Sequence, residues 1–170
     1  MKDLTKCGLI VCFFLLTVCT ARAGWNEASI EKTITGAAEA MTDLPRTKDP
    51  GAVLRFYSED YTGINDGEWE TMEEMKNSFS DLVGQMNLGR SLDISYSVSN
   101  ITAHATGSTG WATYDFSVRI GVSGEVLTDA AGKCTGIYIK EKTAWLILHE
   151  HCSSIDYGGT EGTQNPQETI

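Results

Sequence analysis

Positive charge is scarce in this chain: 13 lysines and arginines stand against 23 aspartates and glutamates, for a formal net charge of −10. Nucleic acid and anionic membrane surfaces both repel such a balance at long range, so neither is an expected partner. Histidine is rarer still, with three residues in all. No glycine-rich phosphate loop, nucleophile elbow or kinase signature occurs, and nothing calls for a cofactor. The longest apolar run, Gly8 to Val18, is too short to span a bilayer comfortably. No internal repeat is visible.

That apolar run has its own meaning. Lys2 and Lys6 precede it and Ala21-Arg22-Ala23 follows. A basic start, a short apolar stretch and an A-x-A site make a secretory signal peptide, with cleavage expected before Gly24. A competing reading attaches lipid to Cys19, but Val18 stands where lipid attachment wants a small residue. Residues 1–23 are therefore read as the signal, 24–155 as one domain and 156–170 as a disordered tail, Gly-, Thr- and Gln-rich with no apolar pattern. The protein is expected to be secreted or periplasmic, with no membrane attachment after cleavage. Loss of the signal removes three basic and one acidic side chain, which takes the formal charge from −10 to −12. It also removes Cys7, Cys12 and Cys19 and leaves Cys134 and Cys152, which an oxidising compartment permits to pair.

Periodicity divides the domain. Ala28, Ile30, Ile34, Ala37, Ala38, Met41 and Leu44 recur at helical spacing, predicting a helix from about Glu27 to Leu44, with a break at Pro45 to Asp49. Asp49-Pro50 opens a short second helix whose inward residues reach Tyr57. Asn65-Asp66-Gly67 is a turn, and Thr71 with Glu74 forms a capping box for a third helix. After Gly89 the period becomes two. Leu92, Ile94, Tyr96 and Val98 alternate with polar residues, the phase slips near Asn100 as at a bulge, and Ala112 to Ile120 alternates again. Further strands end near Glu141 and run from Trp145 to Ser153. Helices followed by antiparallel strands give an α+β fold.

Phe56-Tyr57-Ser58-Glu59-Asp60-Tyr61, Asp66-Gly67 and the closing Ala144-Trp145-Leu146-Ile147-Leu148-His149-Glu150-His151-Cys152-Ser153-Ser154 resemble the SnoaL-like domain. That domain belongs to the superfamily of nuclear transport factor two and ketosteroid isomerase. The resemblance implies a cone: a curved antiparallel sheet wrapped around N-terminal helices, as in cystatin-like folds. It also implies a pocket at the open end and a homodimer formed through the sheets. Isomerases, dehydratases, cyclases, binders and assembly domains all share the fold.

In the isomerase members a catalytic aspartate occupies the position that falls here on Asn65, and an amide cannot serve as a general base. Asp66, one residue on, is a candidate, against the reading that it simply shapes the turn. The first helix has no tyrosine, and the late-strand acid falls near Gly136. His149 and His151 are a possible metal pair without a third ligand, so no metal is expected. On straight alternation Trp145, Ile147, His149 and His151 share one face, and Leu146, Leu148, Glu150 and Cys152 the other. In the kinase association domain that the closing motif also resembles, the position of Cys152 lines the pocket. Glu150 then reaches it too and is the better acid/base candidate. The remaining ligand-binding candidates are Tyr57, Asn65, Tyr96, Tyr114 and Phe116, which offer hydroxyls, an amide and aromatic surface.

Three functions fit: an exported binder of a small apolar molecule, an acid/base isomerase, dehydratase or cyclase, or a dimerisation module. An open pocket with a buried carboxylate of raised pKa would favour the second. The pairing of Cys134 with Cys152 depends on the turn between their strands. A turn centred on Thr143 sets them opposite each other, and one centred between Lys142 and Thr143 points them to opposite faces. N-terminal sequencing of exported protein is expected to begin at Gly24; a lipid-modified Cys19 in the membrane fraction would refute it.

Overall fold

The computed structural model describes residues 4–155, with side chains described from Gly24 onward; the expected tail at 156–170 lies outside them. The element order is α1 (Leu4–Thr47), α2 (Pro50–Leu54), β1 (Tyr57–Asn65), β2 (Glu68–Thr71), α3 (Met72–Asn87), β3 (Leu92–Thr106), β4 (Thr109–Val122), β5 (Glu125–Glu141) and β6 (Ala144–Ser154). Among the described residues no helix is long and apolar enough to cross a membrane.

The helices follow their sequence signals. The apolar stripe of α1 places Ile30, Ile34, Ala37 and Leu44 in the core. Pro45 does not end this helix as expected. It sits in the last turn, and Lys48 N–H donates to Leu44 O at 2.8 Å. Lys48 then terminates the helix with a left-handed φ of 53°. Asp49 caps α2 by accepting from Gly51 N–H at 2.9 Å. Thr71 and Glu74 form the reciprocal capping box of α3.

Six strands make one curved, unclosed sheet in the order β2-β1-β6-β5-β4-β3. All neighbours are antiparallel except β1 and β6, which run parallel. Tyr57 opens β1 instead of closing the second helix, and β1 and β2 form a hairpin over the Asn65-Asp66-Gly67 turn. Asp66 and Gly67 supply the positive φ values, 51° and 91°, that a tight hairpin turn needs. The phase slip near Asn100 is a bulge: the β3–β4 register shifts between Ser99 and Thr102, and Asn100 has φ 52°.

A second bulge decides the interior. The β5–β6 turn is centred between Lys142 and Thr143, with Glu141 opposite Ala144 and Lys142 at φ 55°. Straight pairing from there would put Cys134 and Cys152 on opposite faces. The register shifts instead between Ile137 and Tyr138: Tyr138 pairs with Ile147, Ile137 with His149, and Leu148 is the extra residue. Beyond it Cys134 pairs with Cys152, and the two form a disulfide. The bulge also overturns the expected faces of β6. Trp145 and Ile147 face the helices, 3% and 1% exposed, and Glu150 and Cys152 join them on the inside. His149 and His151 face out. The single face of Trp145, Ile147, His149 and His151 that straight alternation predicts therefore does not exist.

The concave face holds α1 and α3, which close the core with Met75, Phe79, Tyr114 and Tyr138. Thr33 ties α1 to the sheet by donating to Trp145 O at 2.9 Å. Thiol titration of the denatured, unreduced chain beginning at Gly24 is expected to find no free thiol. Replacing Cys134 with serine should lower unfolding stability by about 2–4 kcal/mol, the usual worth of a bridge closing a loop of this size.

Candidate functional site

Between α1, α3 and the inner sheet face lies a cavity of about 300 Å³. Its walls are mostly apolar: Ile34, Ala37 and Met41 from α1, and Met75, Phe79 and Leu82 from α3. Apart from Ser78 of α3, the polar groups come from the sheet. Tyr57, Tyr61 and Asn65 of β1, Glu70 of β2, Tyr96 of β3, Tyr114 of β4 and Glu150 of β6 all line it. No lysine, arginine or histidine does so among the described residues.

Glu150 is the more deeply placed of the two carboxyls there, at 8% exposure. The Tyr114 hydroxyl donates to its Oε1 at 2.5 Å. Burial disfavours the charged carboxylate, and the Tyr114 hydrogen bond opposes that only in part. The nearby Glu70 carboxylate adds repulsion, and together they push the Glu150 pKa from the ordinary 4.5 up to about 7. Glu70 is also raised by burial, while hydrogen bonds from the Tyr61 hydroxyl and from Asn65 hold it down. The phenols of Tyr57, Tyr61, Tyr96 and Tyr114 are all raised by burial first and by Glu150 second, so they act as neutral donors.

The sequence candidates separate. Tyr57, Asn65, Tyr96, Tyr114, Glu150 and Cys152, the last as half of the disulfide, line the cavity. Phe116 does not. It packs over Gly132, where a Cβ would lie 2.9 Å from its ring, and it stacks on Tyr96 at 6.5 Å. Asp66 is also outside. Its carboxylate accepts from Ser154 N–H at 2.6 Å and Ser154 Oγ–H at 2.7 Å, which lowers its pKa and ties the β1–β2 turn to the end of β6. The histidines are apart: Thr62 hydrogen-bonds His149 Nδ1 at 2.9 Å, and His104 packs on Trp111 at 4.4 Å. Among the described residues no three His, Cys, Asp or Glu side chains come together as a metal site. Sequence reasoning missed Tyr61 and, among the acids, Glu70. The one signal for Glu70 is position: it lies three residues beyond a hairpin turn, on a strand too short to show a period.

An α+β cone, with helices packed on the concave face of a curved sheet, is the architecture of the nuclear transport factor two-like superfamily. The SnoaL-like domain family matches residues 31–157, and the chain belongs to that family. Solved structures share the fold. A nuclear transport factor two-like protein of unknown function from Pseudomonas putida is 16% identical, with 86% of this chain and 99% of that one covered, at a TM-score of 0.59. A candidate dehydratase of the same family from Streptomyces avermitilis is 14% identical over 78% of this chain and 97% of its own, at a TM-score of 0.61. A ketosteroid isomerase-like protein from Erwinia carotovora is 17% identical over 76% and 95%, at 0.54. Likeness at these identities concerns the fold alone. No curated protein matches the chain.

Because the folded-state pKa of Glu150 lies above its unfolded value, the protonated form favours folding. That contribution is complete below about pH 4.5 and is lost as pH rises through about 7. At about 1.4 kcal/mol per pKa unit, the full loss is about 3 kcal/mol. Denaturant unfolding across this range should show wild type losing about that much stability relative to E150Q; parallel curves would mean Glu150 titrates normally.

Proposed function

We propose that this chain is an acid/base enzyme acting on a small, largely apolar molecule held in the cone, in the isomerase, dehydratase or cyclase class. The observation that carries this is the Glu150 carboxyl. It faces an apolar cavity, is hydrogen-bonded by Tyr114, and is poised to hold or release a proton near neutral pH. A proton-transfer group works best with its pKa near the operating pH, and burial is the usual means of raising a glutamate to that value. The tyrosines supply donors for a substrate oxygen. We infer that the enzyme works outside the cytoplasm, secreted or periplasmic. The A-x-A site and the Cys134–Cys152 bridge support that reading.

The apolar walls favour a second, plainer reading, an exported binding protein in which Glu150 orients the ligand. Turnover separates the two. The probe is the benzaldehyde–acetone aldol adduct, a neutral β-hydroxy ketone whose dehydration to benzylideneacetone is followed by ultraviolet absorbance. Wild type is expected to accelerate it at least about a hundredfold over E150Q, the lower end of general acid–base contributions. Equal rates for the two proteins would leave the cone a binding site.

A further inference from the structure

Backbone register relates the two cavity carboxyls. Glu70 of β2 pairs with Gly63 of β1, and Gly63 pairs with Glu150 of β6. The glutamates thus end one row across three neighbouring strands, about 10 Å apart at Cα from two strand spacings. Residues directly opposite in a sheet share a face, and both side chains line the same cavity. Gly63 puts no side chain between them. A Cβ there would lie 2.5 Å from the Tyr61 hydroxyl oxygen, so the missing side chain is what lets Tyr61 lean across the row. The Tyr61 hydroxyl sits beside Glu70 and lowers its pKa, and the Tyr114 hydroxyl donates to Glu150. Each carboxyl therefore has its own positioning tyrosine, and neither has a cation among the described ion pairs.

We propose that Glu70 is a second catalytic residue, the base to Glu150's acid, and that the pair eliminates water from a neutral β-hydroxy carbonyl compound spanning them. This rests on the acid/base reading of the cone. Glu70 carboxylate takes the proton from the carbon between carbonyl and carbinol. The electrons of that C–H bond form the C=C bond as the C–O bond breaks. The departing hydroxyl takes the proton of the Glu150 carboxylic acid and leaves as water. Glu70 is then protonated and Glu150 ionised, and proton exchange with solvent restores the starting state. The roles follow from depth. Glu70 is only half-buried, so water stabilises its charged form, whereas Glu150 is enclosed and keeps its proton longer. The substrate is neutral because two carboxyls and no cationic side chain face the cavity, which disfavours an anion.

The other titratable groups facing Glu150 are phenols: Tyr57 and Tyr61 from β1, Tyr96 from β3, Tyr114 from β4 and, behind the wall, Tyr138 from β5. The helices contribute none to the lining. With all the phenols raised by burial, the two carboxyls are the cavity groups that ionise first as pH rises.

The test is the pH–rate profile of aldol-adduct dehydration, with unfolding curves confirming that the variants fold. Wild type should give a bell whose alkaline limb falls near the Glu150 pKa of about 7. E70Q should lose about a hundredfold or more in rate. Carbon NMR of wild type labelled at the glutamate carboxyls should show Glu70 ionising before Glu150, and the reverse order would overturn the assignment of roles. A rate that instead rises through neutral pH to a plateau, and that E70Q retains, would mean Glu150 acts alone as base. That result would overturn this proposal and leave the acid/base reading standing. A wild-type rate no greater than that of the E70Q/E150Q double variant would overturn both.

Discussion

One extra residue in the last strand determines what the interior of this protein contains. The two-residue turn at Lys142-Thr143 fixes the first four pairs of β5 with β6, from Glu141–Ala144 to Tyr138–Ile147. If that register continued, Glu150 and Cys152 would face solvent, and His149 and His151 would occupy the cone. Leu148 interrupts it, and from Ile137–His149 onward every side chain of β6 has changed face. The bulge leaves one residue outside the ladder, a local loss that is offset in two ways. Cys134 and Cys152 come into register and can be bridged, and Trp145 and Ile147 stay packed on α1 while the strand beyond them turns Glu150 inward. Bulges commonly re-aim a side chain beside an active site. Here a single inserted leucine supplies the buried carboxyl, and the disulfide holds it there.

The same comparison explains what could be read from the residues beforehand. The helical stripes of α1 and α3, the Thr71 capping box and the alternation of β3 and β4 were legible because burial on one side alone imposes a period. The bulge at Asn100 was legible for the same reason: Leu92 to Val98 and Ile101 to Ala103 sit on opposite parities, so the apolar phase visibly slips. The bulge at Leu148 was not. Trp145, Leu146, Ile147 and Leu148 are apolar at every position, so no phase existed to slip, and straight alternation placed Glu150 opposite Trp145. The hairpin of β1 and β2 was hidden because β2 is four residues long and β1 carries an irregular register against β6. The acids do not lie at the positions where the isomerases have theirs. Asn65 and Gly136 have no carboxyl where the isomerases have one, yet Asn65 donates to Glu70 at 3.4 Å and Gly136 pairs with Glu150. The acids lie on neighbouring strands, where only register reveals them.

A purely structural account of these two glutamates runs against the energetics. A carboxyl enclosed in an apolar cavity without a cation is worth less to stability than a hydrocarbon of the same size, because its charged form is desolvated without compensation. Two such groups facing one cavity also repel each other, and part of the Glu150 shift comes from Glu70. The surroundings do not relieve this burden. Gly63 and Gly136 are the sheet partners of Glu150 and offer it no side-chain donor, and Tyr138 lies over Gly136 with a buried hydroxyl that has no partner. What the fold does supply is orientation, one tyrosine hydroxyl for each carboxyl, with no charge that would fix either carboxyl as an anion. An arrangement that keeps acids buried, aimed and free to change protonation makes poor scaffolding. It is the arrangement that moving protons across a bound molecule requires.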